Sequence, residues 1–305
     1  MTPETLPSLP GVVDVTVHHP AREPRGWVLL EVPHGATRTQ DYRRVEAQLK
    51  GKLPEDLVHF FYVNTDIGAP EAAGFAARAL CKAGVGAVVA RCLLPRTFVD
   101  TNRVLDGASG GKLKDGLTPG LPGYITHPGD AAWLSARHAE YTDVVRRAYE
   151  AICGERRGLA VQVHSYAPKS VGVQATDENI VAALHAAYAP DAYAKWPDRP
   201  VVDLITATAD GSFRAAPALS DALKAAYRAA GIPAEENATY HMHPITQGMA
   251  WAKAYPAQVT CVELNRGVVS DPFTPFGESP ISAGGVERLA APLVTALMGA
   301  VDAAR

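Results

Sequence analysis

Net charge, cysteine and long apolar runs are all scarce in this sequence. Its 305 residues carry 29 basic and 32 acidic side chains, a formal net charge of −3. Such a balance lacks the basic surface that binds nucleic acid or an anionic membrane. The four cysteines form no CxxC pair, which favours free thiols in a reducing compartment over a disulfide framework. No apolar run reaches the roughly 18–20 residues of a membrane span. We therefore expect neither a nucleic-acid nor a membrane partner.

Several familiar catalytic strings are missing as well. The sequence has no GxGxxG after the first predicted strand, no GxxxxGK[ST], no GxSxG and no HExxH. Interpretations as a dinucleotide-binding protein, a P-loop protein or a serine hydrolase therefore lack their defining motifs. The first residues include prolines and acidic side chains, without the basic and apolar regions of a secretory signal. We expect a cytoplasmic protein.

Apolar, β-branched runs alternate with alanine-rich amphipathic stretches along the chain. Several of the apolar runs are nearly continuous, as in strands that are covered on both faces. The alternation predicts a layered α/β fold with a mostly parallel sheet, one or two antiparallel strands, and a single domain over 1–305. The predicted strands are 27–32, 58–63, 86–93, 159–163, 201–207 and 258–264. The predicted helices are 41–49, 70–83, 131–152, 177–187, 216–230 and 285–304.

Two segments do not fit this alternation. Residues 106–128 are rich in glycine and proline and have no hydrophobic periodicity. A long structureless segment in a compact domain is usually functional or disordered. Of these two possibilities, we favour a functional segment: an active-site loop that covers the substrate. Residues 269–281 contain several prolines, and this composition predicts an irregular connection to the last helix.

Polar residues close three of the predicted strands. His34, His164 and Glu263 each follow or end an apolar run. In open α/β sheets, ligands bind at the carboxyl ends of the strands, where such side chains meet. Each residue also has an ordinary explanation: a core or capping histidine, and for Glu263 an ion pair with Arg266. As a set they predict two metal ligands and a catalytic base.

Asp66 and the Asn102-Arg103 pair add to this set. A carboxylate at Asp66 would complete a site of two histidines and one carboxylate, although an aspartate before a helix is equally typical of an N-cap. Arginine's planar fork suits a substrate carboxylate, and a neighbouring asparagine adds a donor. The alternative for Arg103 is a structural salt bridge with Asp100. Arg96 is a second candidate for the clamp.

His241 and His243 form an HxH pattern, which is a metal-binding pattern in some hydrolases. If the segment were a strand, both rings would lie on one side of it. This pair competes with His34 and His164 for the metal. Its surroundings are less apolar and it lacks the strand-end position, so we favour a substrate-facing loop there.

Taken in order, these strings resemble the N-formylglutamate amidohydrolase family, which is related to zinc carboxypeptidases and aspartoacylases. The similarity covers most of the chain, and its specificity lies in the order and spacing of short motifs. The matching motifs are Val32-Pro33-His34-Gly35, Thr65-Asp66-Ile67-Gly68-Ala69, Arg96 with Val99-Asp100-Thr101-Asn102-Arg103, His164-Ser165-Tyr166-Ala167-Pro168 and Val262-Glu263-Leu264-Asn265-Arg266.

The resemblance implies a three-layer α/β/α sandwich of the phosphorylase/hydrolase-like type and one Zn²⁺ ion. It implies zinc binding by His34 and His164 and a general-base role for Glu263. The carboxypeptidase relatives supply a glutamate at the position of Thr37, so we assign the third ligand to Asp66. The residues assigned to substrate binding are Asn102, Arg103, Arg96, Ser165 and Arg266.

The expected function is a metal-dependent hydrolase of the amide bond in an N-acyl amino acid, N-formyl included, or in a similar amide with a carboxylate. Zinc would polarise the scissile carbonyl and lower the pKa of its bound water toward ~7. Gln162 occupies a position where formylglutamate enzymes tend to have an acidic residue. The substrate can therefore be a different amide of the same class. The alternatives are a zinc carboxypeptidase-like peptidase and a non-catalytic carboxylate-binding protein.

Overall fold

The sheet at the centre of the molecule has seven strands in the order β1-β3-β2-β4-β7-β5-β6. The architecture is that of a computed structural model, which describes residues 2–105, 117–173 and 176–304. Much of the predicted active-site loop, residues 106–116, thus lies outside the described residues. The strands are β1 (Val13–His18), β2 (Trp27–Val32), β3 (Gly86–Cys92), β4 (Leu159–Tyr166), β5 (Val202–Ile205), β6 (Ala234–Glu236) and β7 (Val259–Asn265).

The strand directions make this a mixed, mostly parallel sheet. β3, β2, β4 and β7 run parallel to one another in the centre. β1 pairs antiparallel with β3, and β5 pairs antiparallel with β7. Because the central strands are parallel, their carboxyl ends lie at one edge of the sheet, where a site in an open α/β sheet forms. The expectation of a mostly parallel sheet with antiparallel members is confirmed.

Helices cover both faces of the sheet. The helices are α1 (Thr39–Glu46), α2 (Leu57–Asn64), α3 (Ala69–Lys82), α4 (Pro128–Tyr149), α5 (Ile180–Ala187), α6 (Pro190–Tyr193), α7 (Pro217–Ala229), α8 (Gln247–Ala254), α9 (Arg266–Val269) and α10 (Ala283–Ala303). α4 continues into a π-helical turn over Glu150–Gly154.

Two separate cores show that the fold has three layers. Alternate residues of β2 enter different cores: Leu29 joins the one with α2 and α4, and Leu30 the one with α3, α7 and α10. Successive side chains of a strand point to opposite faces, so a strand covered on both faces is apolar throughout. The predicted α/β/α sandwich is confirmed.

The prediction of a strand over 58–63 is wrong. These residues belong to α2, which buries Phe60 and Phe61 in the core on the α4 side of the sheet. A short apolar run rich in β-branched and aromatic residues has no periodicity that separates a strand from a buried helix. The central positions of the sheet are taken by β2, β3, β4 and β7, and the run packs on the sheet as a helix instead.

Sequence patterns also missed several short elements. β1 and β6 lie at the two edges of the sheet, and α8 precedes β7. Edge strands bury fewer side chains, so their apolar signal is weak. By length and composition alone, α10 could cross a membrane, although Glu287 and Arg288 interrupt its apolar sequence; in this fold it packs against α3 and α7. The four cysteines are free, with Cys81 half-buried and the others buried.

Candidate active site

His34, Asp66 and His164 meet at the carboxyl edge of the sheet. Asp66 Oδ2 lies 3.2 Å from Nδ1 of His34 and 2.9 Å from Nδ1 of His164. All three residues are buried, and one possible ligand atom from each lies within 4.8 Å of the others. The metal ligands that the sequence suggested, separated by up to 130 positions, are therefore brought together, and their role as ligands stays a prediction.

The donor set fits a divalent ion. Tetrahedral zinc with bonds of ~2.0–2.2 Å separates its ligand atoms by about 3.3–3.5 Å, close to the distances around Asp66 Oδ2. Burial alone would raise the pKa of Asp66, but the neighbouring His34 and His164 lower this pKa below its ordinary value. Asp66 is therefore a carboxylate, as a metal ligand must be.

Asp66 lies in the turn between α2 and α3, and its side chain does not cap α3. The N-cap of α3 is Gly68, without a side-chain hydrogen bond to the helix. The interpretation of Asp66 as a helix cap is therefore wrong. Its Oδ1 lies 3.5 Å from a guanidinium nitrogen of Arg266, which also donates to the Ser165 carbonyl. Ser165 Oγ in turn donates to the Ile67 carbonyl at 2.8 Å.

These contacts show what Ser165 and Arg266 do in this fold. Arg266 is 3% exposed, and its nitrogens contact Asp66, Ser165 and the Val63 carbonyl. Both residues line the cavity, but the contacts described here fix the turn that carries Asp66. Their assignment to substrate binding stays a prediction, and the geometry favours a positioning role.

Asp100 organises the other side of the histidine pair. Its Oδ1 accepts from His34 Nε2 at 2.8 Å, which directs Nδ1 of His34 toward the ligand cluster. Its Oδ2 accepts from Arg96 Nε at 2.9 Å and lies 3.6 Å from Arg103. Burial would raise the pKa of Asp100, but Arg103, Arg96 and His34 hold it well below the ordinary value. The sequence indicated Asp100 only as a possible salt-bridge partner of Arg103 and as a member of the motif around it.

Arg103 and Asn102 are held mainly by the backbone. Arg103 donates from Nε to the Thr118 carbonyl and from Nη1 to the Asn102 carbonyl. Asn102 Oδ1 accepts from the Gly248 amide at the start of α8. Arg103, Asn102 and Arg96 all line the cavity. The salt bridge with Asp100 proposed as the alternative for Arg103 is present, and the carboxylate clamp stays a prediction.

Glu263 lies beside His164. The parallel register of β4 and β7 pairs these two residues, so their side chains share a face of the sheet. Oε2 of Glu263 is buried without a hydrogen-bond partner. Burial, partly offset by His164, raises the pKa of Glu263 to about 7. The expected ion pair with Arg266 is absent among the described contacts, so the side chain is open toward the cavity.

One cavity joins all of these groups. It has a volume of about 250 Å³ and is lined by His34, Asp66, His164 and Glu263. Its volume is enough for a small organic molecule. Part of its wall is apolar and comes from α2, α5 and the residue after α5. These wall residues are Phe60, Val63, Ile180, Leu184 and Tyr188.

The HxH pair does not form a second metal cluster in the described part of the chain. His241 lines the same cavity and is exposed, and the His243 ring accepts from the Ile245 amide. The segment is not a strand, because residues 237–246 form an irregular connection between β6 and α8. The position agrees with the expected loop beside the substrate cavity.

Two groups near the site were not predicted from the sequence. Glu31 is fully buried beside Gln162, which lines the cavity, and it accepts from Tyr141, Tyr149 and Gln162, each at 2.8 Å. Arg199 lines the cavity from the connection between α6 and β5. A glutamate inside an otherwise apolar strand was a usable signal for Glu31. Arg199 lies outside every motif, so nothing in the sequence pointed to it.

The comparisons with known proteins give structural matches alone. No protein-family model and no curated protein matches the sequence. The gene product Atu2144 from Agrobacterium tumefaciens matches with 15% identity and a TM-score of 0.53, over 98% of this chain and 97% of the other. N-formylglutamate amidohydrolase from Ralstonia eutropha JMP134 matches with 16% identity and a TM-score of 0.51, over 95% and 97%. A metallo-carboxypeptidase from Burkholderia cenocepacia has a TM-score of 0.41, too low to carry an argument.

These matches establish a class of fold. The chain has the hydrolase-like α/β fold that the Ralstonia eutropha N-formylglutamate amidohydrolase adopts, over nearly the full length of both chains. The resemblance inferred from the motifs is thus confirmed at the level of the fold. Because a fold hosts many activities, function has to be argued from the site itself.

Proposed function

We propose that the protein is a metal-dependent amidohydrolase that cleaves the amide bond of an N-acyl amino acid, or of a similar amide with a carboxylate, and not a peptide bond. One observation carries the proposal. The half-buried Glu263, whose Oε2 has no hydrogen-bond partner among the described residues, lies in the same cavity as the buried His34–Asp66–His164 cluster. A metal-ligand cluster beside a carboxyl group that can transfer a proton is an arrangement that can hydrolyse an amide.

His34, Asp66 and His164 would hold the ion. Two nitrogen donors and one oxygen donor suit zinc, whose catalytic sites use three protein ligands. When bound, the ion supplies Lewis acidity to a carbonyl group and to water. The hydrogen bond from His34 to Asp100 is the type of outer contact that fixes the orientation of a ligating imidazole.

Glu263 would move the proton. Its Oε2 takes a proton from the water that attacks the scissile carbonyl carbon. It then delivers that proton to the amide nitrogen as the C–N bond breaks, so that water and amide become a carboxylic acid and an amine. This oxygen, Oε2, lacks a hydrogen-bond partner among the described residues and is thus free for this transfer. The fold match to an N-formylglutamate amidohydrolase supports this class of reaction.

Glu263→Gln tests the proposal. We expect kcat for release of the acyl group from the protein's best N-acyl amino acid to fall by about 10²- to 10⁴-fold. Metal content, measured by atomic absorption, should stay at the wild-type level because Glu263 is not among the ligands. The matched control is Glu235→Gln, which removes an exposed carboxylate on β6 and should keep wild-type kcat.

Three results would contradict the proposal: purified protein without stoichiometric metal, near-wild-type turnover by the Glu263→Gln variant, or no turnover of any N-acyl amino acid. Release of C-terminal residues from peptides, with N-acyl amino acids left intact, would instead identify a peptidase. The assay therefore includes both kinds of compound.

A further inference from the structure

Five arginine and lysine side chains in the described part of the chain line the cavity, and four of them lie within ion-pair distance of a carboxylate. Arg96 and Arg103 lie 2.9 and 3.6 Å from Asp100. Lys169 lies 2.8 Å from Asp198, and Arg266 lies 3.5 Å from Asp66. Arg199 is different, because no carboxylate in the described part of the chain lies within ion-pair distance of it. Its charge is therefore available to an anion that enters the cavity.

Two tyrosines hold the Arg199 guanidinium in place. Its central carbon lies 5.1 Å from the ring centre of Tyr166 and 5.3 Å from that of Tyr240. Nε donates to Ser170 Oγ at 3.2 Å, and one terminal nitrogen donates to the Tyr240 hydroxyl at 2.9 Å. Stacking between aromatic rings keeps an arginine ordered without removing its charge. A rigid, unpaired fork of this kind suits a carboxylate.

Arg199 lines the same cavity as Glu263 and the cluster of His34, Asp66 and His164. Arg103 directs two of its nitrogens to the carbonyls of Thr118 and Asn102. An arginine whose nitrogens donate to backbone carbonyls has fewer N–H groups left for a ligand. Arg199 also donates from two nitrogens, so the absence of a paired carboxylate among the described residues is what favours Arg199 over Arg103.

The cavity wall formed by α2 and α5 indicates the chemical character of the rest of the ligand. It contributes Phe60, Val63, Ile180 and Leu184 to the cavity. A substrate with a second charge would leave that charge without a partner against such a wall, at a considerable cost in free energy. The wall therefore favours an apolar side chain or acyl group.

We propose that Arg199 binds the carboxylate of the substrate and that this substrate is an N-acyl amino acid with an apolar side chain. The inference rests on the proposed function and deepens it, because it names the specificity residue and the substrate class. Tyr166 and Tyr240 position the guanidinium, and Arg103 supports Asp100.

The experiment compares N-acetyl-L-phenylalanine with its carboxamide, which lacks the charge. For Arg199→Met we expect kcat/KM for the acid to fall by about 10- to 100-fold, with kcat/KM for the carboxamide unchanged. Lys169→Met removes a paired cation from the same cavity and should keep the wild-type preference for the acid. Arg199→Lys should retain part of it. An equal loss for both compounds, or a preserved preference in Arg199→Met, would overturn the proposal.

Calorimetric binding separates this inference from the proposed function. If the wild type hydrolyses neither compound, the proposed activity fails, and the dissociation constants of the two compounds still test Arg199. Tighter binding of the acid that is lost in Arg199→Met and kept in Lys169→Met would support the assignment. Equal binding of acid and carboxamide by the wild type would overturn it.

Discussion

At the scale of single residues, Asp100 connects the parts of the candidate site. It accepts from His34 on one side and contacts Arg96 and Arg103 on the other. A buried carboxylate with this many donors is stable as an anion and fixes the groups around it. From the sequence, Asp100 was a possible salt-bridge partner of Arg103. Its contact with His34 depends on a spatial approach across 66 positions, which no local pattern contains.

Asp100→Asn tests that connection. We expect metal affinity to fall by about 10- to 100-fold, because the amide cannot hold the His34 ring as the carboxylate does. Competition with a chromogenic chelator measures the affinity. Asp130→Asn is the control, since Asp130 is a buried carboxylate that accepts from the Lys50 and Gly51 amides away from the site. Unchanged metal affinity in Asp100→Asn would show that Asp100 does not orient His34 for metal binding.

At the scale of elements, the turn between α2 and α3 carries Asp66 and depends on Gly68. Gly68 has a φ of +85°, and a methyl group there would overlap the Val269 side chain. Both the left-handed backbone and the close approach to α9 therefore require glycine.

Gly35, the residue after His34, is also close to a neighbouring side chain. A methyl group at Gly35 would lie 2.5 Å from Cγ of Arg91.

For Gly68→Ala we expect the free energy of unfolding to fall by about 1–3 kcal/mol, because the backbone is strained and the contact with α9 is overpacked. Urea denaturation measures it. Gly299→Ala is the matched control. Gly299 lies inside α10 with open space around it, so this change should raise the free energy of unfolding by roughly 0.5–1 kcal/mol. Wild-type stability of Gly68→Ala would contradict the assigned role.

The element scale is also where sequence patterns failed. The run over 58–63 was assigned to a strand, and it forms α2. The strands β2, β4 and β7, by contrast, were assigned correctly because each is an apolar run that two helical layers cover. For a short apolar run, the difference between strand and helix depends on which positions in the sheet are still open, and that is a property of the whole fold.

At the scale of the whole molecule, Glu31 links β2, β4 and α4. Burial raises its pKa, and hydrogen bonds from Gln162, Tyr149 and Tyr141 offset part of this rise. The groups that face Glu31 from the surrounding elements are Tyr141, Tyr149, Gln162, His164, Cys92 and Cys261. A buried acid between strand and helix makes the stability of the molecule depend on pH.

The sign of this dependence follows from the raised pKa. Below the ordinary value of 4.5 the carboxyl is protonated in both states. As the pH rises above that value, the unfolded chain ionises first, and this ionisation stabilises the unfolded state relative to the folded state. We therefore expect the free energy of unfolding of the wild type to decrease relative to that of Glu31→Gln as the pH rises.

Urea denaturation of both proteins across the acidic to neutral range measures this difference. Glu287→Gln, which removes an exposed carboxylate on α10, controls for the change in net charge. A wild-type stability that rises with pH relative to Glu31→Gln would show that hydrogen bonds to the charged form outweigh burial.

The sequence by itself determined the class of fold and the core of the candidate site. Continuous apolar runs and their alternation with helices specify a parallel sheet. The polar residues His34, His164 and Glu263 had to lie at its carboxyl edge, because parallel strands end on the same side. The sequence also pointed to Asp66 beside them, but only the tertiary structure decided the other neighbours: Asp100 at Nε2 of His34, and Arg199 held by two tyrosines. The physical reason is that hydrophobic periodicity encodes burial, whereas contacts between distant polar side chains depend on how the finished layers pack.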